Sequence, residues 1–270
     1  LAVLSWTLYG IGVCLVLTRT ISRLITLRSP KKLQMDDWFM VFLVVPFTGT
    51  VICANAASLV YRTSDTEYSI LVQGLRMRFA LEILHIATNW LVKGCLLILY
   101  WRIFPASTNK KQRRYFTYTA ACCLISYLAI HVLLPVWCHP VTQYWTPTPY
   151  NIQCTTYQNH SIVTLALNTL TTIALFLLPI PYIPTPRTLL LLALFFLGAL
   201  GSVAGVLGRY YVIHDPSSSK YLPWYIAETT TLIAYANMPF LSSLLSSSSK
   251  ARYRYISQTT LGHWPRSYKD

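Results

Sequence analysis

Charge is what this sequence has least of: charged residues make up 11% of its 270 positions, and only 8 residues are Asp or Glu. A soluble domain carries roughly 25% charged residues, and one with so few could not cover itself in water. Patterns of soluble-enzyme chemistry are missing too, with no HExxH, GxSxG, Walker loop, GxGxxG or paired CxxC. Cys138 and His139 are the one Cys-His neighbour pair, and adjacent residues without further donors make no metal site, so neither metal nor cofactor is expected. A solvated basic face, which a nucleic-acid partner requires, is absent as well, although Lys and Arg outnumber Asp and Glu by 22 to 8.

What the chain has instead is apolar length. It is 54% hydrophobic with a mean hydropathy of +0.45. A membrane-crossing helix needs about 20 mostly apolar residues, and seven windows qualify, at roughly 1–22, 37–60, 80–103, 115–137, 158–182, 188–212 and 222–245. The fold expected is therefore all-α, a seven-transmembrane helix bundle over residues 1–246 with a short basic tail at 247–270. The first window begins at Leu1 and stays apolar to Leu17, so a cleaved signal peptide is not expected.

The basic residues set an orientation. Arg23, Arg28, Lys31 and Lys32 fall in the first connector, Lys110, Lys111, Arg113 and Arg114 in the third, Arg187 in the fifth, and Lys250, Arg252, Arg254, Arg266 and Lys269 in the tail. The even connectors hold only Arg62, Arg76, Arg78 and Lys220. Lys and Arg are retained on the cytoplasmic side during insertion, which places the amino terminus outside and the tail inside, against the anionic lipid of a plasma membrane or endomembrane. Topology and lipid contact account for these runs before any docking of a cytoplasmic signalling partner does. Pro179, Pro181, Pro184 and Pro186 mark a tight turn between windows five and six, and Gly201 and Gly205 form a GxxxG in window six that suits close packing within the bundle.

Five of the seven cysteines, Cys14, Cys53, Cys95, Cys122 and Cys123, lie in apolar windows and behave as small apolar residues. Cys138 and Cys154 share an exterior connector, an oxidising setting in which a disulfide closing that loop over the bundle mouth is expected. Asn159-His160-Ser161 is a glycosylation sequon, but it abuts window five.

Ionisable side chains at bilayer depth cost about 2.5–3.5 kcal/mol each on insertion scales, so they mark function or internal packing. In window three Arg78, Glu82, His85, Asn89 and Lys93 recur at steps of 4, 3, 4 and 4, which gathers them on one helical face turned into the bundle. Glu228, followed by Thr231 and Tyr235, lies in window seven at a depth similar to Glu82, as does Arg209 in window six, and Lys93 is expected to face Asn168 and Thr172 of window five if windows three and five adjoin. Two readings stay open. One is a set of ion pairs that fixes helix rotation, such as Glu228 with Arg209 and Glu82 with Arg78 or His85; the other is an outward-facing polar pocket for a small ligand or a proton-transfer reaction. A retinal-type Schiff base is excluded, since Leu222 to Leu245 contains no lysine.

Several stretches together are specific. Met35-Asp36-Asp37-Trp38, Phe79-Ala80-Leu81-Glu82-Ile83-Leu84-His85 leading to Lys93, Tyr100-Trp101-Arg102-Ile103-Phe104-Pro105, Cys138-His139-Pro140-Val141 with Trp145 and Cys154, Leu178-Pro179-Ile180-Pro181, Phe196-Leu197-Gly198, and Glu228 with Pro239 follow in an order and spacing that resembles the fungal rhodopsin-domain integral membrane proteins over nearly the whole chain. That family includes receptor-like proteins tied to surface sensing in plant-pathogenic fungi, and members found beside secondary-metabolite genes such as satratoxin-type clusters. The resemblance implies seven helices, an outside amino terminus and a receptor role. The family's usual Asp four residues after the window-five Asn is Thr172 here, and no DRY-like triplet ends window three.

Two functions are therefore expected in order: a receptor-like sensor of an extracellular small molecule held between windows three, six and seven, and a membrane-embedded cyclase or isomerase of an apolar substrate in secondary metabolism. In the second, Glu82 or Glu228 would be the general acid and His85 the proton shuttle. A transporter ranks last for want of an internal repeat.

Overall fold

The computed structural model describes residues 2–27, 33–60, 68–103, 110–178, 188–216 and 218–239. Its long helices are α1 (Ala2–Leu27), α2 (Met35–Val60), α3 (Tyr68–Ile103), α4 (Lys110–Trp137), then the one-turn α5 (Ile152–Thr156), followed by α6 (Gln158–Leu177), α7 (Thr188–His214) and α8 (222–239). Short 3-10 turns at Val141–Trp145 and Ser219–Tyr221 lead into α5 and α8. The proline cluster 179–186 and the tail 247–270 lie outside the described residues.

Among the described residues six helices, α1, α2, α3, α4, α6 and α7, are long and apolar enough to cross a membrane. The chain is an integral membrane protein, and its surface is turned inside out as lipid requires. Ile21, Phe42, Val45, Ile125, Val132 and Phe195 are exposed, while Arg19, Asp36, Glu82, His85, Lys93, Arg209 and Glu228 are buried. The seventh window is helical over its described part, 222–239, where no residue is exposed. α8 is buried apart from a half-buried stripe that includes Pro223, Ala227, Thr231, Ala234 and Met238, so it has little lipid-facing surface to fill and tolerates Glu228, Thr229, Thr230 and Asn237, and its mean hydropathy falls accordingly.

Helix ends differ from the windows in one consistent way. α3 begins at Tyr68 rather than near 80, and its 36 residues make a rod about 54 Å long, well beyond a hydrocarbon core of about 30 Å. Arg76 and Arg78 thus belong to α3, Arg23 to α1, and Lys110, Lys111, Arg113 and Arg114 to α4, not to connectors. Lys and Arg are good helix formers whose long stems reach out of the apolar layer, so the helix continues where the apolar run stops.

α2 lies along α3, α1 along α2, α4 beside α6, and α6 beside α7. Side chains from all round reach α8: Thr230 donates to Leu8 O of α1 (3.3 Å), Tyr235 shares a hydrogen bond with Tyr100 of α3 (3.1 Å), and Asn168 of α6 donates to Glu228 (2.7 Å). The α7 glycines supply the fourth wall. Gly201 lies opposite Thr231 and Gly208 opposite Tyr225, so the GxxxG serves packing inside the chain, where backbones approach for lack of side chains.

The two ends of the bundle are distinct. At the end bearing the basic starts of α4, Arg19 donates to Asp36 (2.7 Å) and Asp37 (3.2 Å), Asp37 also accepts from Arg23 (3.1 Å), and Arg19 reaches Ala236 O of α8 (3.5 Å). At the other end, the loop end, Cys138 and Cys154 are joined in a disulfide with Cα atoms 5.3 Å apart. The loop it closes is pressed onto α3 by aromatic contacts of Phe79 with Tyr144 (5.0 Å) and Trp145 (5.8 Å).

Candidate functional site

The polar face of α3 meets polar faces of α6, α7 and α8. Nearest the loop end, Arg209 Nη1 of α7 donates to Glu82 Oε1, Tyr225 OH of α8 donates to Glu82 Oε2 (3.2 Å), and His160 Nε2 of α6 stands 3.7 Å from Glu82 Oε1. One turn on, His85 Nε2 lies 3.1 Å from Glu228 Oε2, and the Tyr225 ring stacks flat on the imidazole at 4.1 Å. The Thr229 hydroxyl donates its single proton to Asn89 Oδ1 (2.9 Å), so His85 Nδ1 is the donor to Thr229 (3.3 Å). His85 Nε2 is left facing Glu228 Oε2, with the Asn89 amide nitrogen 3.3 Å from the same ring nitrogen.

At mid-depth Lys93 Nζ donates to Asn168 Oδ1 (2.6 Å), Asn168 O (3.1 Å) and Thr171 Oγ1 (2.8 Å), with the Trp90 ring 4.3 Å away. Asn168 turns its amide nitrogen to Glu228 Oε1 (2.7 Å). One asparagine thus bridges an ammonium and a carboxylate, with each end of its amide fixed by the charge it faces. A bonded chain runs from Lys93 through Asn168, Glu228, His85 and Thr229 to Asn89, joining α3, α6 and α8. The close fit depends on Gly205 of α7, where a Cβ would lie 2.8 Å from Glu228 Oε1.

The structure brings together Glu82, His85, Asn89, Lys93, Asn168, Arg209 and Glu228, but pairs them differently from the sequence expectation. Glu82 takes Arg209, and Glu228 takes His85, because Glu82 and Arg209 stand nearer the loop end while Glu228 lies a turn deeper. Arg78 instead lies over the rings of Tyr157 (5.0 Å) and Tyr221 (5.6 Å). Thr171, not Thr172, bonds Lys93, since Thr172 returns its hydroxyl to Asn168 O of its own helix (2.6 Å). Thr231 likewise bonds Ala227 O (2.7 Å), and Tyr235 sits two turns beyond Glu228 in a separate pair with Tyr100.

Sequence reasoning missed Tyr225, Thr229, Thr171 and His160. The last two were detectable: His160, Thr164, Asn168 and Thr171 recur at steps of 4, 4 and 3, a polar stripe like that of α3, buried but for the half-buried Asn168. His160 had been absorbed into the sequon, whose Asn159 is exposed in the first turn of α6. The Arg19, Asp36 and Asp37 cluster was also missed as a cluster, although Arg19 is a lone cation inside an apolar run.

Space for a ligand opens above the polar core. A cavity of about 350 Å³ at the loop end is lined by Leu71, Leu75, Arg78, Tyr144, Thr155 and Pro216, among others. Burial pushes the Tyr144 phenol above its ordinary range, with the Glu82 charge reinforcing it, so Tyr144 remains the donor to Leu134 O (2.7 Å). A second space of about 280 Å³ is an apolar groove beside Trp90, Gly94, Cys123 and Tyr127. Beside Glu228 itself the space is about 10 Å³, room for no more than a water molecule. Among the described residues no three His, Cys, Asp or Glu side chains converge as a metal site.

Comparison with curated proteins and with solved structures gives no match to either. The model of the fungal rhodopsin domain, in contrast, matches residues 18–247, a span that holds every helix of the polar core, and the chain belongs to that family of membrane proteins.

Proposed function

We propose that the chain crosses the membrane seven times, amino terminus outside, and acts as a receptor-like sensor of an extracellular small molecule. The observation that carries this reading is the position of the loop-end cavity: its wall residue Arg78 is one turn from Glu82, which α7 and α8 grip through Arg209 and Tyr225. A molecule seated there bears on the same α3 face that ties α3 to its neighbours. It shifts the population between two packings if it binds one of them better, and the basic helix ends at the far side carry that shift to a cytoplasmic partner. The basic starts of α4 opposite the disulfide loop support the orientation, and the packing of α8 among the spanning helices supports the seventh crossing.

The test uses purified protein and cells together. Compounds that raise the melting temperature of the detergent-solubilised chain are applied to cells carrying a conformational reporter on the cytoplasmic side. A hit is expected to trigger the reporter, and Leu75→Trp, which fills the cavity, is expected to abolish both effects while the protein stays folded. A hit that still acts fully on Leu75→Trp would overturn the cavity assignment.

The membrane-embedded enzyme is the second reading, and the acid-base pair of His85 and Glu228 favours it. It stands behind the receptor because that pair is packed on all sides by Tyr225, Asn168, Thr229 and Gly205, leaving no substrate-sized space against it. Recovery of hits as chemically altered products, lost in Glu228→Gln or His85→Ala, would reverse the ranking.

A further inference from the structure

Hydroxyls in these helices follow a rule that makes its exceptions informative. Thr18, Thr20, Thr48, Thr50, Thr88, Thr119, Thr171, Thr172, Ser202 and Thr231 all donate to the carbonyl four residues back, the local solution for a hydroxyl in an apolar layer. Ser161 and Thr164 do not. Their oxygens, and both ring nitrogens of His160, have no hydrogen-bond partner in the protein, although the three residues are only 0%, 2% and 2% exposed. An unmet buried polar group costs about 1–3 kcal/mol, and four in two turns of one helix is far from the native norm.

Position says what they await. His160, Ser161 and Thr164 fall within about 100° of arc on α6. That arc faces α3: His160 stands against Glu82, and Thr171 stands against Lys93 the same number of residues further along each helix. The lower half of this seam is closed by Lys93, Asn168 and Thr171, and the upper half is where the unmet atoms lie. Glu82 and Arg209 neutralise one another beside it, so the seam offers no net charge for an ion. All four atoms belong to hydroxyl or imidazole groups, which can donate or accept a hydrogen bond. The edge-on ring of Trp137, 5.9 Å from His160, gives the site one apolar wall. Tyr157, three residues before His160, stacks at 4.8 Å on Tyr144, which lines the loop-end cavity.

We infer that His160, Ser161 and Thr164 form a subsite for an uncharged hydrogen-bonding oxygen: a hydroxyl or carbonyl at the end of a ligand's largely apolar body, with water taking the place in its absence. This rests on the receptor reading and adds the class of molecule: neutral, oxygen-bearing and apolar elsewhere, not an organic acid or amine.

Hydroxyl-radical footprinting of the full chain in detergent micelles tests it, with cyclohexanol and cyclohexanone as neutral probes and cyclohexanecarboxylate and cyclohexylammonium as charged controls. Without probe, radicals formed from seam water are expected to oxidise His160 and Trp137, while the buried Tyr100 and Tyr235 stay unmodified. The neutral probes are expected to cut His160 oxidation at least threefold and the charged controls to leave it unchanged. Thr164→Val should lose that protection and Thr164→Ser should retain it. Oxidation of His160 no greater than that of Tyr100 would show a dry seam and overturn the inference. Oxidation that neither neutral probe reduces makes water the sole occupant and overturns the ligand subsite. A cell response to other compounds that is still abolished by Leu75→Trp would then leave the receptor reading standing while the subsite fails.

Discussion

Replacing Gly205 by alanine is the sharpest perturbation of the polar core, because it adds one methyl group and no chemistry. The new Cβ would lie 2.8 Å from Glu228 Oε1 and 2.9 Å from its carboxyl carbon, closer than real Cβ contacts allow, so Glu228 must withdraw. Glu228 then forfeits its bonds with Asn168 (2.7 Å) and His85 (3.1 Å). Charge-assisted hydrogen bonds contribute about 1.5–3 kcal/mol each in soluble proteins, whereas polar pairs in membranes average about 0.6 kcal/mol. The helix-propensity gain of alanine over glycine, about 1 kcal/mol, works the other way. A net loss of about 2 kcal/mol follows, equivalent to roughly 4–8 °C in melting temperature for a chain of this size. Gly201→Ala is the control, since its Cβ would meet Thr231 at an ordinary 3.7 Å. It should be neutral or mildly stabilising. Thermal unfolding followed by tryptophan fluorescence in one detergent compares the two, and Glu228→Asp, one methylene shorter, should restore part of the loss when combined with Gly205→Ala. Equal melting temperatures for Gly205→Ala and Gly201→Ala would refute the claim that Glu228 is seated against the α7 backbone.

Three further outcomes are expected. Glu82→Gln leaves the Arg209 charge buried without its partner and should destabilise the chain by about 3–5 kcal/mol, while the double change Glu82→Gln with Arg209→Met should recover much of that, as measured by the same melts. Cys154→Ser opens a loop whose ends are 16 residues apart, for which the chain-entropy account gives about 3 kcal/mol; reductant should lower the wild-type melting temperature and leave the variant unmoved. With an impermeant amine reagent on sealed cells, Lys220 at the loop end, its side chain 65% exposed, should be modified and Lys110 and Lys111 should not, and the reverse pattern would invert the proposed orientation.

Much of the fold is legible in the sequence because lipid imposes one rule on every span, and apolar length reports it directly. The disulfide was legible for a related reason: Cys138 and Cys154 stand outside the apolar windows, where the other cysteines do not. The polar face of α3 could be read from spacing alone, since Glu82, His85, Asn89 and Lys93 are all too costly to turn toward lipid. What spacing does not give is which residue of one helix meets which of another. The partners of Glu82 and Glu228 depend on relative depth, and a single turn of difference between Arg209 and Glu228 exchanges them. Tyr225 escaped because an aromatic residue in an apolar run looks like core, and only its OH on Glu82 and its stack on His85 show otherwise. The end of α3 at Tyr68 was hidden by Arg76 and Arg78, which read as a connector although they continue the helix.

The enclosure of α8 has a consequence for how the protein is made. A segment bearing Glu228, Asn237 and three consecutive threonines is a poor candidate to leave the translocon for bare lipid, where an acidic side chain alone costs about 2.5–3.5 kcal/mol. On the proposed seven-span arrangement its place in the bilayer is prepared by His85, Asn168 and the glycine seam of α7, all synthesised before it. Biogenesis would then be ordered: the earlier spans gather first, and α8 joins as a late guest of a half-built assembly.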